Sequence, residues 1–89
     1  MYKMAFYVPE ADAEAVKQAV FAAGAGRLGN YAECCWQTLG QGQFRPLTGA
    51  NPTLGEVGEL EQVAELKVEL LVDDDCLTAA LAALKQANP

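Results

Sequence analysis

The chain has neither histidine nor serine among its 89 residues. Their absence removes the serine–histidine and cysteine–histidine schemes of nucleophilic catalysis, in which imidazole is the base that activates the nucleophile. Cations are also scarce. Lys3, Lys17, Arg27, Arg45, Lys67 and Lys85 face 12 carboxylates, for a net charge of −6. They are scattered singly, so no basic stripe exists to neutralise phosphates, and neither a nucleic acid nor an anionic membrane surface is expected as a partner. No apolar run approaches the ~20 residues that cross a bilayer. Met1-Tyr2-Lys3-Met4 shows no basic region, apolar stretch or cleavage site of a signal peptide. Three cysteines, two of them adjacent, make no even disulfide framework, and reduced thiols in a cytoplasm are the expectation.

What is present reads as one small α+β domain, residues 1–89. Met4, Phe6 and Val8 alternate with Lys3, Ala5 and Tyr7 and predict a strand ended by Pro9. Ala13, Val16, Val20 and Ala23 then follow helical spacing, with Glu10, Asp12 and Glu14 favourably placed at the helix start. A second strand is expected over Tyr31–Thr38, a turn at Leu39-Gly40-Gln41-Gly42 and a short returning arm over Gln43–Arg45. Leu47 to about Gln62, punctuated by Gly49, Pro52, Gly55 and Gly58, reads as a long loop. Ala64–Val72 alternates as the clearest strand. Asp73-Asp74-Asp75 offers cap oxygens to a second helix with its stripe on Leu77, Ala80, Leu81 and Leu84. The order β-α-β-β-α lacks one strand of a ferredoxin-like βαββαβ arrangement, in which two helices cover one face of an antiparallel sheet.

The stretch GAGRLG (Gly24–Gly29) spells G-x-G-x-x-G. In a dinucleotide site those glycines follow a strand and open a helix. Here they close a helix and lead toward a strand, so the pattern predicts a helix stop. Cys34 and Cys35, as strand neighbours, would point to opposite faces, with Cys34 and Trp36 expected in the core or an interface. That leaves a metal or redox use of the cysteines as the minor alternative. Arg27 and Arg45 each lie beside glycine-rich backbone, where a guanidinium and free N–H groups can cradle an anion. The commoner fate of such a residue is a salt bridge. No catalytic constellation, metal ligand set or cofactor is indicated.

Together FYVPE (Phe6–Glu10), GAGRLGNY (Gly24–Tyr31), the following cysteine, GQGQFRPLTGANPTLGEVGELE (Gly40–Glu61) and the closing LKQANP resemble the inserted domain of the Nif-three-like family, dinuclear-metal hexameric proteins named for an NGG-interacting factor. The resemblance implies a CutA-like and PII-like domain. It would be a stand-alone, ferredoxin-like homotrimer with a long loop between its second and third strands and a small anionic ligand between subunits. Arg27, Asn30 and Arg45 are the candidate binding residues on that view. The metal site of such proteins belongs to a flanking domain, so neither metal ligands nor hydrolase activity carry over. Relatives run on through a His-Pro-Tyr-Glu-Glu-Pro stretch into a final strand. Asn88 stands at the histidine position and Pro89 follows, so an open sheet edge is expected. A protein partner covering that edge makes the chain an assembly element, the second functional reading.

Overall fold

A computed structural model describes residues 1–89. Strand β1, Tyr2–Val8, turns Met4, Phe6 and Val8 inward and leaves the residues between them exposed. A single 3-10 turn, Glu10–Asp12, then leads into helix α1, Ala13–Ala22, which buries Ala13, Val16 and Val20. The helix ends as GAGRLG predicts. The Gly24 N–H donates to the Phe21 carbonyl (3.0 Å) and the Ala25 N–H to the Val20 carbonyl (3.1 Å), with Gly24 at φ +103°. This is the paired closure of a Schellman cap, which only glycine enters without strain.

Strand β2 runs Trp36–Phe44, strand β3 Glu61–Val72, and helix α2 Leu77–Ala87 after a 3-10 turn at Asp74–Cys76. The sheet is antiparallel with order β1-β3-β2, so β3 lies between two strands that run parallel to each other. The two helices pack on one face. There Met4, Phe6, Val8, Val16, Val20, Leu66, Val68, Leu70, Val72 and Ala80 form the core. The fold is α+β and ferredoxin-like, as expected.

Several expectations fail locally. Residues 32–35 are not strand, and β2 begins five residues later than predicted and runs through Leu39-Gly40-Gln41-Gly42 rather than turning there. At Gly42 the Glu65 side chain crosses the strand, where a Cβ would lie 2.8 Å from Glu65 Cδ. Because 32–35 is irregular, Cys34 and Cys35 do not alternate across a sheet. Cys34 is half-buried and Cys35 exposed, and Trp36 is 61% exposed rather than in the core. Asp73, Asp74 and Asp75 make no side-chain capping bond. Leu81 is 39% exposed rather than part of the buried stripe.

The sheet is longer on one side than the other. β1 pairs only with Leu66–Val72, whereas Glu61–Glu65 pairs only with Gly40–Phe44. That excess projects as a two-stranded arm carrying the 45–60 loop. It gives a shape 48 × 23 × 20 Å with a radius of gyration of 15.0 Å, against about 12 Å for a compact chain of this length.

Hydrogen-bond parity identifies the free edges. Gly26 N–H donates to the Leu71 carbonyl (2.8 Å), which continues the β2 side of the ladder. Odd-numbered residues of β3 therefore point their backbone groups toward β2 and even-numbered ones toward β1. By the register, Lys3, Ala5 and Tyr7 of β1 then direct their N–H and C=O groups away from the sheet. In agreement, the Asn88 side-chain amide donates to the Tyr7 carbonyl (3.3 Å) from outside.

Candidate functional site

The two arginines singled out in the sequence occupy opposite ends of the β2–β3 ladder. Arg27 follows the glycine cap of α1, beside the start of β2. Arg45 follows Phe44 at the end of the same strand. Eight residues of strand separate the ends, which at the usual rise is about 26 Å. Asn30 joins neither end: it sits with Gly29 (φ +58°) at the tip of a tight turn closed by reciprocal Leu28–Tyr31 backbone bonds of 2.9 and 3.0 Å. One small ligand cannot touch Arg27 and Arg45 of the same chain.

At the Arg45 end, the Nη1 group donates to the Gly58 carbonyl (2.7 Å), and the Gly58 N–H donates to the Pro46 carbonyl (2.7 Å). These two bonds draw the 45–60 loop together at its neck. Arg45 thus binds a carbonyl rather than forming the expected salt bridge. A broad groove of about 710 Å³ opens beside it, bounded by Tyr7, Phe44, Pro46, Pro52 and the Asn88–Pro89 terminus.

At the Arg27 end lies a smaller cavity of about 310 Å³. Gly26, Arg27 and Leu28 form one wall and Cys34, Cys35 and Trp36 another. Lys3, Glu69 and Leu71 lie on the helix-free face of the sheet. Arg27 makes no ion pair, although Lys3, Lys17 and Lys67 all do. Lys3 Nζ stands 2.7 Å from Glu69 Oε1 and Lys67 Nζ 3.8 Å from it. The hydrogen bond from Lys3 first of all, aided by the charges of both lysines, outweighs the opposing effect of burial and holds the Glu69 carboxyl below the usual glutamate range.

Neither end carries a nucleophile with a base, and no polar side chain is buried anywhere. No three cysteines or carboxylates are placed to hold a metal ion, and no helix is long and apolar enough to cross a membrane. Sequence reasoning passed over Lys3 and Glu69 as participants. The alternation of β1 and β3 assigns both to the outer face, but their approach depends on a strand register that neither segment reveals alone.

No protein-family model matches the chain. Proteins named GTP cyclohydrolase 1 type 2 homolog do match. The one from Mycobacterium tuberculosis is 45% identical over 87 residues, which is 98% of this chain and 23% of that protein. The Bacillus subtilis one is 41% identical over 87 residues, again 98% of this chain and 23% of that protein. The solved structure of a Bacillus cereus protein related to NIF3 superposes with a TM-score of 0.84 at 33% identity, over 98% of this chain and 22% of that one. The chain thus spans about a quarter of the length of the curated relatives it matches, and it is similar to one segment of those proteins and of the NIF3-related structure.

Proposed function

We propose that the chain is a NIF3-like domain, a non-enzymatic, cytoplasmic binding or regulatory module that acts as a homotrimer. Its ligand is a small anion held where copies meet, beside Arg45 and the 45–60 loop. The observation that carries the reading is the projecting arm with its loop. Phe44, Leu47, Leu54, Val57 and Leu60 are all exposed there, between 39% and 69%. Apolar side chains gathered on an extended element, away from the core, favour burial against another chain. A second copy suits them best, because an 89-residue domain gains from burial that its own core is too small to supply. The cyclohydrolase in the relatives' names is a property of proteins about four times longer, and we assign no hydrolysis to this segment.

Light scattering coupled to size-exclusion chromatography tests the assembly. The expected mass is three times the 9.5 kDa of the protomer, and Leu54→Glu with Leu60→Glu should lower it. A monomer at every concentration overturns the reading. For the ligand, calorimetry with phosphate, pyrophosphate and citrate should give binding that Arg45→Ala abolishes while circular dichroism is unchanged. Identical isotherms for the two proteins refute the role of Arg45.

One observation favours a second reading, an assembly element that accepts a strand from a partner protein. The Asn88 amide already occupies a donor position outside β1, where the N–H of an added strand would bond to Tyr7. Amide exchange separates the two: on this reading the Lys3, Ala5 and Tyr7 N–H groups exchange rapidly in the isolated chain and become protected only with the partner. Protection in the isolated chain counts against it.

A further inference from the structure

We propose that the cavity at the Arg27 end is a second binding site, independent of the Arg45 groove, for a monoanion with a flat apolar body, such as an aromatic carboxylate. Its size, near 310 Å³, matches a ligand of one or two fused rings. The electrostatics select the sign of the charge. Lys3 and Arg27 meet a single carboxylate, Glu69, which Lys3 and Lys67 already neutralise. One guanidinium therefore remains without an anion, in a chain with twice as many carboxylates as cations. A polyphosphate needs several cations, and a metal ion needs a ligand cluster that is absent. The apolar component comes from Trp36, the one tryptophan, which is 61% exposed and lines the cavity with Leu28 and Leu71. Aromatic stacking on the indole and a forked contact from Arg27 to a carboxylate are the interactions these side chains offer together.

The walls are rigid in ways the fold alone does not require. Gly26 is fixed at φ +78°, and a Cβ on it would lie 2.8 Å from Phe21 Cε1 and 3.0 Å from the Cys34 carbonyl. Its N–H and C=O bind Leu71 and Cys34, each at 2.8 Å, which ties the two walls to the sheet. Glu33, next to Cys34, is the only non-glycine residue with positive φ (+58°). Such strain is held where the surroundings over-determine a conformation, and it accompanies binding sites. Here it delivers Cys34, Cys35 and Trp36 to the wall facing Arg27.

The test is a titration of the full chain with 2-naphthoate, and in parallel with uncharged 2-naphthylmethanol, followed by amide and indole N–H shifts. Saturable shifts are expected at the Trp36 indole N–H and at the Gly26 and Leu28 amides, with the alcohol about tenfold weaker, the scale of one hydrogen bond to a charged group. Arg27→Gln should bring naphthoate down to the affinity of the alcohol. Arg27→Lys, which keeps the charge without the fork, should fall between them, and Arg45→Ala should leave the shifts at Trp36, Gly26 and Leu28 as they are, whatever it does at the separate Arg45 groove. The proposal is overturned by non-saturating or scattered shifts, by equal affinity for acid and alcohol, or by an Arg27→Gln variant with intact amide dispersion and undiminished affinity. An effect of Arg45→Ala without one of Arg27→Gln would likewise overturn it, and would leave the Arg45 reading standing.

Discussion

Replacing Gly24 by alanine tests the account of the GAGRLG turn most directly. The added Cβ meets two separable penalties. At φ +103° any L side chain is strained, which costs about 1–2 kcal/mol. The Cβ would also lie 2.6 Å from Cys76 Sγ and 3.2 Å from Cys76 Cβ, where the turn before α2 packs against the end of α1. Moving that half-buried side chain costs about 1–2 kcal/mol more, at the low end for overpacking. The expected loss is therefore about 2–4 kcal/mol. Urea unfolding at fixed protomer concentration measures it, because any assembly makes apparent stability depend on concentration. Gly49→Ala is the control: its φ is +97°, but a Cβ there meets nothing within 4 Å, so the strain alone should be felt. Adding Cys76→Ala to Gly24→Ala removes the shorter of the two contacts, the one with Sγ, and a double-mutant cycle should return a coupling of about 1–2 kcal/mol. Equal losses for Gly24→Ala and Gly49→Ala, or zero coupling to Cys76, would refute the reasoning.

Two further predictions concern the sheet. Val68, fully buried at the centre of β3, should lose about 2–3 kcal/mol on truncation to alanine. That is roughly 10–20 °C in melting temperature for a domain of this size; a shift of under about 4 °C would mean that the core lies elsewhere. Glu69 has its folded-state pKa depressed from 4.5, chiefly by the Lys3 hydrogen bond. Its contribution to stability is thus complete above the ordinary glutamate range and is lost as pH falls through the lower folded value, the window in which the unfolded chain binds more protons. In Lys3→Met, a carboxyl-carbon NMR titration should show the Glu69 midpoint moving up toward the ordinary value. An unmoved midpoint would eliminate Lys3 as the cause.

The legible parts of the fold were those written in period. β1 and β3 alternate cleanly, and Met4, Phe6, Val8, Leu66, Val68, Leu70 and Val72 are all buried. The α1 stop was legible because a left-handed cap admits few residues other than glycine. β2 was misplaced because Gly40 and Gly42 lie in extended strand rather than in a turn, with the Glu65 side chain crossing at Gly42, and a lone sequence cannot distinguish a turn glycine from one in a strand. Leu81 was misassigned for a related reason. Its helical spacing is correct, but a sheet of only three strands leaves the residue 39% exposed.

The candidate site was legible residue by residue and illegible as an arrangement. Arg27 and Arg45 share local chemistry, glycine beside guanidinium, and nothing in that chemistry encodes that β2 is extended through its glycines. Once it is, the two groups stand at opposite ends of a strand about 26 Å long. At that distance their effects on stability and on ligand binding should add, since coupling between sites with no shared partner is within about 0.5 kcal/mol. A larger measured coupling between Arg27→Gln and Arg45→Ala would therefore have a definite structural meaning. The groups are too distant to meet in one chain, so copies would have to bring the arm of one protomer to the glycine turn of the next. The same cycle, repeated with the arm variants Leu54→Glu and Leu60→Glu, should then lose its coupling along with the assembly.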